Sequence, residues 1–217
     1  MILSKRLQKV LDFVDVRDKV ADIGADHGYL VIAMRNMGVE TLQVVENKIG
    51  PLERAKSNLS DFDNIVFSLS DGISDLDKNI DTVTICGMGG LNIVEILNNN
   101  LDTAKSLKKI IMQANSKCFE LREFLFSNGF NILDEEMVED NGKHYEIIVA
   151  RYENFQQNIS YEQLFFGPIL MEKKTKVFID YYKGLKNNIL EILKNNEQYN
   201  LSELQNKLEL INKLLEE

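Results

Sequence analysis

Apolar and polar positions along the chain form two repeating patterns, which predict a regular succession of strands and helices. Short apolar runs rich in β-branched residues have the length of buried strands. Stretches with apolar residues three and four positions apart separate them and predict amphipathic helices. This alternation is typical of a doubly wound parallel sheet, so we expect an α/β fold. The five predicted strands lie at 20–23, 41–46, 64–70, 81–86 and 108–115.

The pattern changes after residue 130, where two strand-like segments follow one another without a helix between them. They span 131–139 and 144–152 and are joined across Asn141-Gly142, a dipeptide that strongly favours a tight hairpin. Class I methyltransferases have five parallel strands closed by an antiparallel hairpin, whereas nicotinamide dehydrogenases generally lack the hairpin. The pattern therefore predicts a Rossmann-like sheet of the class I methyltransferase type.

The last third of the chain has only the helical pattern. We expect the stretch after the hairpin, up to about residue 166, to be irregular, and a long helix to carry an apolar stripe from Val177 to Ile192. A second helix has apolar residues at alternating steps of three and four, which is typical of a coiled-coil seam. We therefore divide the chain into a methyltransferase domain, 1–153, and a helical coiled-coil extension, 154–217. The seam residues are Leu201, Leu204, Leu208, Ile211 and Leu215.

The composition limits which partners the protein can bind and in which compartment it is expected. The chain has 217 residues, a net charge of −9 and a pI near 4.9, so the field of the whole molecule repels nucleic acid, and an RNA partner must meet a local basic patch. Two cysteines, Cys86 and Cys118, cannot form a disulfide scaffold, and we expect no metal site. The chain has neither an apolar leader segment nor an apolar run of about 18 residues. We therefore expect a cytoplasmic protein that does not enter a membrane.

The turn after the first strand predicts a cofactor site. Gly24 and Gly28 follow a buried strand and precede a helix, an arrangement that lets a ligand approach the backbone and the helix N–H groups. A dinucleotide-binding turn would need a further glycine at the position of Asp26, whose charge opposes a pyrophosphate. The spacing thus favours a cofactor without phosphates, and S-adenosylmethionine is the obvious candidate.

Acidic residues at strand ends are the next candidates. Asp22 and Glu46 are separated by the roughly 20 residues that a βαβ unit places between its turn and its ribose-binding acid. We expect Glu46 to bind the ribose hydroxyls and Asp22 to neutralise an ammonium group; the alternative for Glu46 is a solvated strand end. Asp71 with Gly72 can bind the adenine of the cofactor or can simply form a turn. The Gly-rich turn after the fourth strand is expected to border both cofactor and target base, and its candidates are Gly87, Met88 and Gly89.

Several segments together resemble one family, the bacterial tRNA adenine-22 N1-methyltransferases, over residues 3 to 152. The resemblance implies S-adenosylmethionine as methyl donor and N1 of an adenine in the tRNA D-arm region as acceptor. Two residues depart from the usual pattern: Ala114 stands where proline is typical, and Cys86 where alanine is common. The segments that carry the resemblance are 22–30, 50–51, 70–72, 87–90, 113–115 and 145–150.

The acceptor side of the site is predicted on the same strand ends. Asp26 is the candidate to stabilise the positive charge that develops on the methylated purine; its alternative is an N-cap of the following helix. We expect Asn115 to hydrogen-bond the Watson–Crick edge of the adenine, with Gln113 supporting it, or to be an ordinary turn residue. His27 and Tyr29 flank the site, His27 towards the cofactor and Tyr29 towards the substrate.

RNA binding requires cations, because phosphate contacts provide much of the affinity for RNA. We select Lys117 and Arg122 as substrate-binding residues near the end of the fifth strand. Lysines on a helix are also common on surfaces that bind nothing. The further candidates are Lys105, Lys108 and Lys109, and, in the extension, Lys173, Lys174, Lys176, Lys183 and Lys186.

Two other functions remain open at this stage. A class I methyltransferase for another RNA position or for a small molecule would have the same cofactor motifs. A non-catalytic module would keep the cofactor fold and use its coiled coil to hold a partner or to form a homodimer. The preferred hypothesis is a tRNA adenine-N1 methyltransferase, either a monomer or a homodimer through the C-terminal helices.

Overall fold

The computed structural model describes residues 3–154, 158–195 and 201–216. A sheet of seven strands forms its centre, in the order β3-β2-β1-β4-β5-β7-β6. The strands are β1 (Lys19–Ile23), β2 (Thr41–Glu46), β3 (Ile65–Leu69), β4 (Thr82–Met88), β5 (Lys109–Ala114), β6 (Phe130–Asp140) and β7 (Lys143–Tyr152).

Strand directions match the sequence-based expectation. The first five strands are parallel, while β7 is antiparallel to β5 and β6 is antiparallel to β7. The chain starts in the middle of the sheet at β1, moves outwards to β3, and returns to place β4 on the other side of β1. Ligands bind at such a switch point, beyond the carboxyl ends of the strands. A ligand-binding site is therefore expected at the turns that follow β1, β2, β4 and β5.

Helices cover both faces of the sheet. Strand residues alternate between two apolar clusters, one around Ile85 and Ile110 and the other around Val20 and Val44. Ser4 caps the leading helix α1, because its hydroxyl accepts a hydrogen bond from the Leu7 amide at 3.3 Å. The helices up to β6 are α1 (Lys5–Leu11), α2 (Tyr29–Met37), α3 (Ile49–Asn58), α4 (Gly90–Asn99), α5 (Leu101–Ser106) and α6 (Cys118–Ser127).

The C-terminal extension has two helices that the sequence pattern did not predict. The stretch expected to be irregular contains α7, whose start is fixed by a capping box between Ser160 and Gln163; that serine and glutamine, three residues apart, were the overlooked evidence. The helix that begins at Pro168 was not predicted either, whereas the last two helices agree with the expected ones. The four helices are α7 (Tyr161–Phe166), α8 (Pro168–Lys173), α9 (Lys176–Asn195) and α10 (Leu201–Glu216).

A third apolar cluster joins this extension to the sheet. Its buried members include Phe178 on α9, Ile211 on α10 and Met137 on β6. Seam residues 204, 208, 211 and 215 all belong to it, while the side chain of Leu201 lies outside the described residues. Helices α9 and α10 pack on each other. A coiled coil in the strict sense, and the domain boundary at residue 153, both stay predictions.

Arg122 is where the structure corrects the sequence analysis. Its side chain is fully buried, and its guanidinium donates to Glu135 at 2.7 Å and to Glu146. It also donates to the Leu164 carbonyl of α7 at 3.2 Å. Glu135 in turn accepts from the Ile169 amide of α8 at 2.9 Å. Arg122 thus connects the sheet to the extension, and its assignment as an RNA-binding residue was wrong because no part of it reaches solvent.

Candidate functional site

The turn between β1 and α2 brings the backbone close to the other strand ends. Gly24 and Gly28 have φ values of 73° and 69°, in the left-handed region that glycine adopts at little cost. The Gly24 amide donates to the Val45 carbonyl at 2.9 Å, which ties the turn to β2. A side chain at Gly24 would collide with the methyl group of Met88. Backbone conformation therefore favours glycine at both positions, and Met88 would have to move to admit a side chain at Gly24.

Beyond this turn lies cavity A, which has a volume of 520 Å³. It is bounded by the ends of β1 and β2, the turn after β3, and one face of α4. Both polar and apolar groups line it, as the binding of a nucleoside requires. The predicted cofactor residues in its wall are Gly24, Glu46, Asp71, Gly72 and Met88.

Glu46 is the buried acidic residue in the wall of cavity A, where Asp71 and Glu95 are exposed. Its carboxylate is 6 % exposed, and one oxygen accepts a hydrogen bond from the Asp26 backbone amide. Burial raises the pKa of Glu46, and the Asp26 amide partly offsets that rise. Among the described residues, no cation forms an ion pair with it. The carboxylate is therefore left with hydrogen-bonding capacity directed at the cavity.

Asp22 is more deeply buried and belongs to cavity B, a smaller space of 280 Å³ that shares Gly24 with cavity A. The Thr84 hydroxyl donates to Asp22 at 2.7 Å. Burial raises the pKa of Asp22 to about 6, and the nearby Glu46 charge adds to the rise. Within the described part of the chain, Asp22 has no cation partner either. It is a buried carboxylate held only by a neutral donor.

Asp26, His27 and Tyr29 form the outer wall of cavity B. The Asp26 carboxylate accepts from the Arg54 guanidinium at 2.7 Å and lies 3.5 Å from the His27 ring nitrogen. The His27 and Tyr29 rings stack with centroids 5.2 Å apart. The position that caps α2 is Gly28, and no side chain caps it. The alternative assignment of Asp26 as an N-cap is thus wrong, because its carboxylate is held by Arg54 instead.

Asn115 and Gln113 are connected at the end of β5. The Asn115 amide donates to the Gly87 carbonyl at 2.7 Å and accepts from the Gln113 side chain at 3.1 Å. Gln113 is completely buried, so its expected place in the substrate site is corrected to an indirect one, behind the exposed Asn115. Gly87 lines cavity B, whereas neither described cavity wall includes Gly28 or Gly89.

The lysine candidates fall into two groups. Lys117 is exposed near Asn115 in a third cavity, C, and its ammonium contacts Glu120 at 2.7 Å. Such exposed pairs are weak and exchange readily for a phosphate. Lys108 and Lys109 instead pair with the buried Asp18, which leaves Lys109 little freedom to bind RNA.

Two arginines of the site were missed by the sequence analysis. Arg54, on α3, holds Asp26, and Arg6, on α1, lines cavity B and donates to Gln113. Neither belongs to a glycine-rich turn or a strand end, which are the positions where the sequence pattern predicts ligand-binding residues. The only sequence clue was a basic residue on a helix next to each candidate strand.

Cys86 and Cys118 are both free, and burial raises the pKa of each thiol.

Two further properties concern the described residues as a whole. None of their helices is both long and apolar enough to cross a bilayer. They contain no group of three or more His, Cys, Asp or Glu side chains arranged to hold a metal ion.

The sheet order, the antiparallel hairpin and the glycine turn beside two unpaired carboxylates define a class I, Rossmann-like methyltransferase. The match to a family model is more specific: the model described as tRNA (adenine(22)-N(1))-methyltransferase matches residues 20–213. The chain belongs to that family, which confirms the resemblance noted in the sequence.

Individual relatives agree with the family match. The tRNA (adenine(22)-N(1))-methyltransferase of Bacillus subtilis is 32% identical over 188 residues, covering 82% of this chain and 78% of the relative. The solved structure of M. capricolum TrmK with S-adenosyl-homocysteine has a TM-score of 0.86 at 27% identity and covers 100% of this chain and 99% of that one. The Streptococcus pneumoniae protein Sp1610 in complex with S-adenosyl-L-methionine has a TM-score of 0.89 at 29% identity, with 99% and 100% covered.

Proposed function

We propose that this protein transfers a methyl group from S-adenosylmethionine to N1 of adenine 22 of tRNA. The observation that carries the proposal is the family match, which spans both the sheet and most of the extension. The chemistry of cavities A and B supports it, since their carboxylates suit a donor that carries hydroxyl and ammonium groups.

The residues of the two cavities fit the methyl donor group by group. Glu46 accepts from the ribose hydroxyls in cavity A, and Asp71 with Gly72 binds the adenine ring at the other end of the same wall. Asp22, in cavity B, pairs with the ammonium of the methionine part. Met88 packs on Gly24 between the two cavities. When bound, the cofactor supplies an electrophilic methyl group on a sulfonium.

The acceptor base needs positioning more than acid or base catalysis. N1 of adenine has its own in-plane lone pair, so the protein gains most by holding the base in line with the methyl group. Within a paired stem N1 is occupied, and the base must be extruded or found unpaired. Asn115 and Tyr29 hold the base in this proposal, and Asp26 stabilises the cationic product ring. Lys117 binds a neighbouring phosphate.

Nucleoside analysis tests the proposed reaction directly. Purified protein is incubated with labelled S-adenosylmethionine and unmodified tRNA, and the digested RNA is examined for 1-methyladenosine. We expect label in 1-methyladenosine with wild-type tRNA and none when adenine 22 is replaced. Label at another nucleoside would favour a different RNA methyltransferase. Cofactor binding without transfer to tRNA would favour the non-catalytic module.

Asp26→Asn tests the catalytic part of the proposal. The substitution keeps the shape and the backbone amide that Glu46 accepts from, but it removes the negative charge near the developing cation. We expect about a 100-fold lower kcat, the size of effect found when one preorganised electrostatic contact is removed, with unchanged affinity for S-adenosylhomocysteine. An Asp26→Asn enzyme with wild-type turnover would remove Asp26 from the mechanism. Asp61→Asn, on an exposed turn after α3, is the matched control.

The remaining expectations concern setting and assembly. We place the enzyme in the cytoplasm, where its tRNA substrate is found. The described surface of α9 and α10 is compatible with a monomer or with a homodimer through these helices. Light scattering on the full chain distinguishes the two, and a mass that stays at the 24.9 kDa of one chain as the concentration rises would exclude the dimer.

A further inference from the structure

The Asn115 side-chain amide is held in one of its two possible orientations. Its oxygen accepts from the Gln113 amide nitrogen at 3.1 Å, and its nitrogen donates to the Gly87 carbonyl at 2.7 Å. Its backbone amide donates to the Met88 carbonyl at 2.7 Å, which fixes the base of the side chain. A rotation of the amide by half a turn would place donor against donor and acceptor against acceptor.

Gln113 is held in turn by two donors. Its side-chain oxygen accepts from the Gly87 backbone amide at 3.0 Å and from the Arg6 guanidinium. Gln113 is completely buried, so an unmatched polar atom there would carry a desolvation cost. The Arg6 guanidinium is itself placed over the Tyr145 ring, 5.3 Å from its centroid. Arg6 on helix α1 and the Gly87 backbone therefore together determine which way both amides face.

A fixed amide orientation matters for the chemistry of adenine. After its internal contacts, the Asn115 amide keeps one oxygen lone pair and one N–H for a ligand. These match the N6 amino group and N7 of adenine, the pair to which asparagine binds in a bidentate manner. Binding at this edge leaves the N1 lone pair free, whereas a donor placed on N1 would block methyl transfer.

We propose that Arg6, Gln113 and the Gly87 backbone, here called the orientation network, hold Asn115 so that it binds the N6/N7 edge of the target adenine. Arg6 is a positioning residue in this scheme, since it acts through Gln113 and Asn115. It precedes residue 20, where the family match begins. The inference rests on the proposed function and adds to it how the base is recognised.

The test uses two tRNA transcripts, with adenine or with 7-deazaadenine at position 22. The analogue lacks the N7 acceptor but keeps N1 and the amino group. For each enzyme the ratio of kcat/KM on adenine to kcat/KM on the analogue is measured, together with the Kd for each tRNA. Asn115→Ala supplies the ratio that is intrinsic to the two bases, so the difference from it isolates the contact.

We expect the wild-type ratio to exceed that of Asn115→Ala by about tenfold, the discrimination typical of one such base contact. Gln113→Glu should lose most of this excess, because it removes the donor to Asn115. Arg6→Met should lose part of it, because Gln113 is then held by the Gly87 amide alone. Arg6→Lys, which can still donate to Gln113, should recover it. Lys5→Met, an exposed neighbour on α1, should keep the wild-type ratio.

The proposal is overturned if Arg6→Met and Gln113→Glu retain the wild-type ratio, or if wild type and Asn115→Ala have the same ratio. The second comparison does not depend on whether the Arg6 and Gln113 variants fold. Failure of the wild-type enzyme to form 1-methyladenosine on adenine-22 tRNA would instead contradict the proposed function.

Discussion

Two groups of buried or half-buried carboxylates in this protein differ in what balances their charge. Asp22 and Glu46, at the cavity end of the sheet, are held by a threonine hydroxyl and a backbone amide. Glu135 and Glu146, on the closing hairpin, share the buried guanidinium of Arg122. Glu146 is partly exposed and the other three carboxylates are buried. Among the described residues, only the second group forms ion pairs with a cation of the protein.

We propose that this difference in charge balance separates a binding role from a structural one. Burying a charge without a partner costs several kcal/mol in desolvation free energy. A cationic or hydrogen-bonding ligand can offset that cost when the unpaired carboxylate lies beside a cavity. The pKa alone does not reveal this, since burial raises the pKa of Asp22, Glu46 and Glu135 alike. For Glu135 the Arg122 guanidinium counteracts the rise. The identity of the partner distinguishes the two groups.

Removing Arg122 should have the largest effect. Arg122→Met leaves Glu135 and Glu146 without their cation, and we expect a loss of about 3–5 kcal/mol in the free energy of unfolding, measured by urea denaturation. The loss should be smaller at pH 5 than at pH 8, because the pKa of Glu135 is raised by burial and the unpaired carboxyl then stays neutral at low pH.

Lys117→Met is the control for that experiment. It breaks an exposed pair with Glu120 on the same helix end, and such pairs contribute at most about 1 kcal/mol. An Arg122→Met protein as stable as Lys117→Met would show that the buried pair does not hold the extension to the sheet.

The same contrast explains what the sequence could predict. Asp22 and Glu46 could be placed beside the cavities because a carboxylate at the end of a buried strand has a fixed place in this fold. Arg122 was misassigned because the sequence indicates its charge but not which face of α6 is covered. Its partner Glu135 lies on β6, a separate element of the fold. Arg6 was missed for a related reason: α1 reaches the site only after folding, 107 residues from Gln113 along the chain.

Glu46→Gln should have an intermediate effect, on binding rather than on folding. The amide keeps one acceptor but loses the charge that strengthens bonds to the ribose hydroxyls, and we expect about a 30-fold weaker Kd for S-adenosylhomocysteine, from about 2 kcal/mol of lost charge-assisted bonding. Titration calorimetry measures it, with the exposed Glu53→Gln on α3 as control. A large loss of stability with an unchanged Kd would place Glu46 with the structural carboxylates.

The smallest expected effect is a pH dependence that belongs to Asp22. Its folded-state pKa is about 6, above the ordinary 3.8, so the cofactor-free protein loses stability as pH rises through that range, when the buried carboxyl ionises. Only the ionised form pairs with an ammonium. Cofactor affinity should therefore fall as pH drops below about 6, by about tenfold between pH 7 and pH 5.

The Asp22→Asn variant makes this pH dependence specific to Asp22. It cannot ionise, so its Kd for the cofactor should be weaker than that of wild type at pH 7 and should change less between pH 7 and pH 5. The titration of the cofactor's own groups is common to both proteins and cancels in the comparison. If the two proteins lose affinity in parallel on acidification, the ammonium is held by another group, and the unpaired charge of Asp22 has no ligand to offset it.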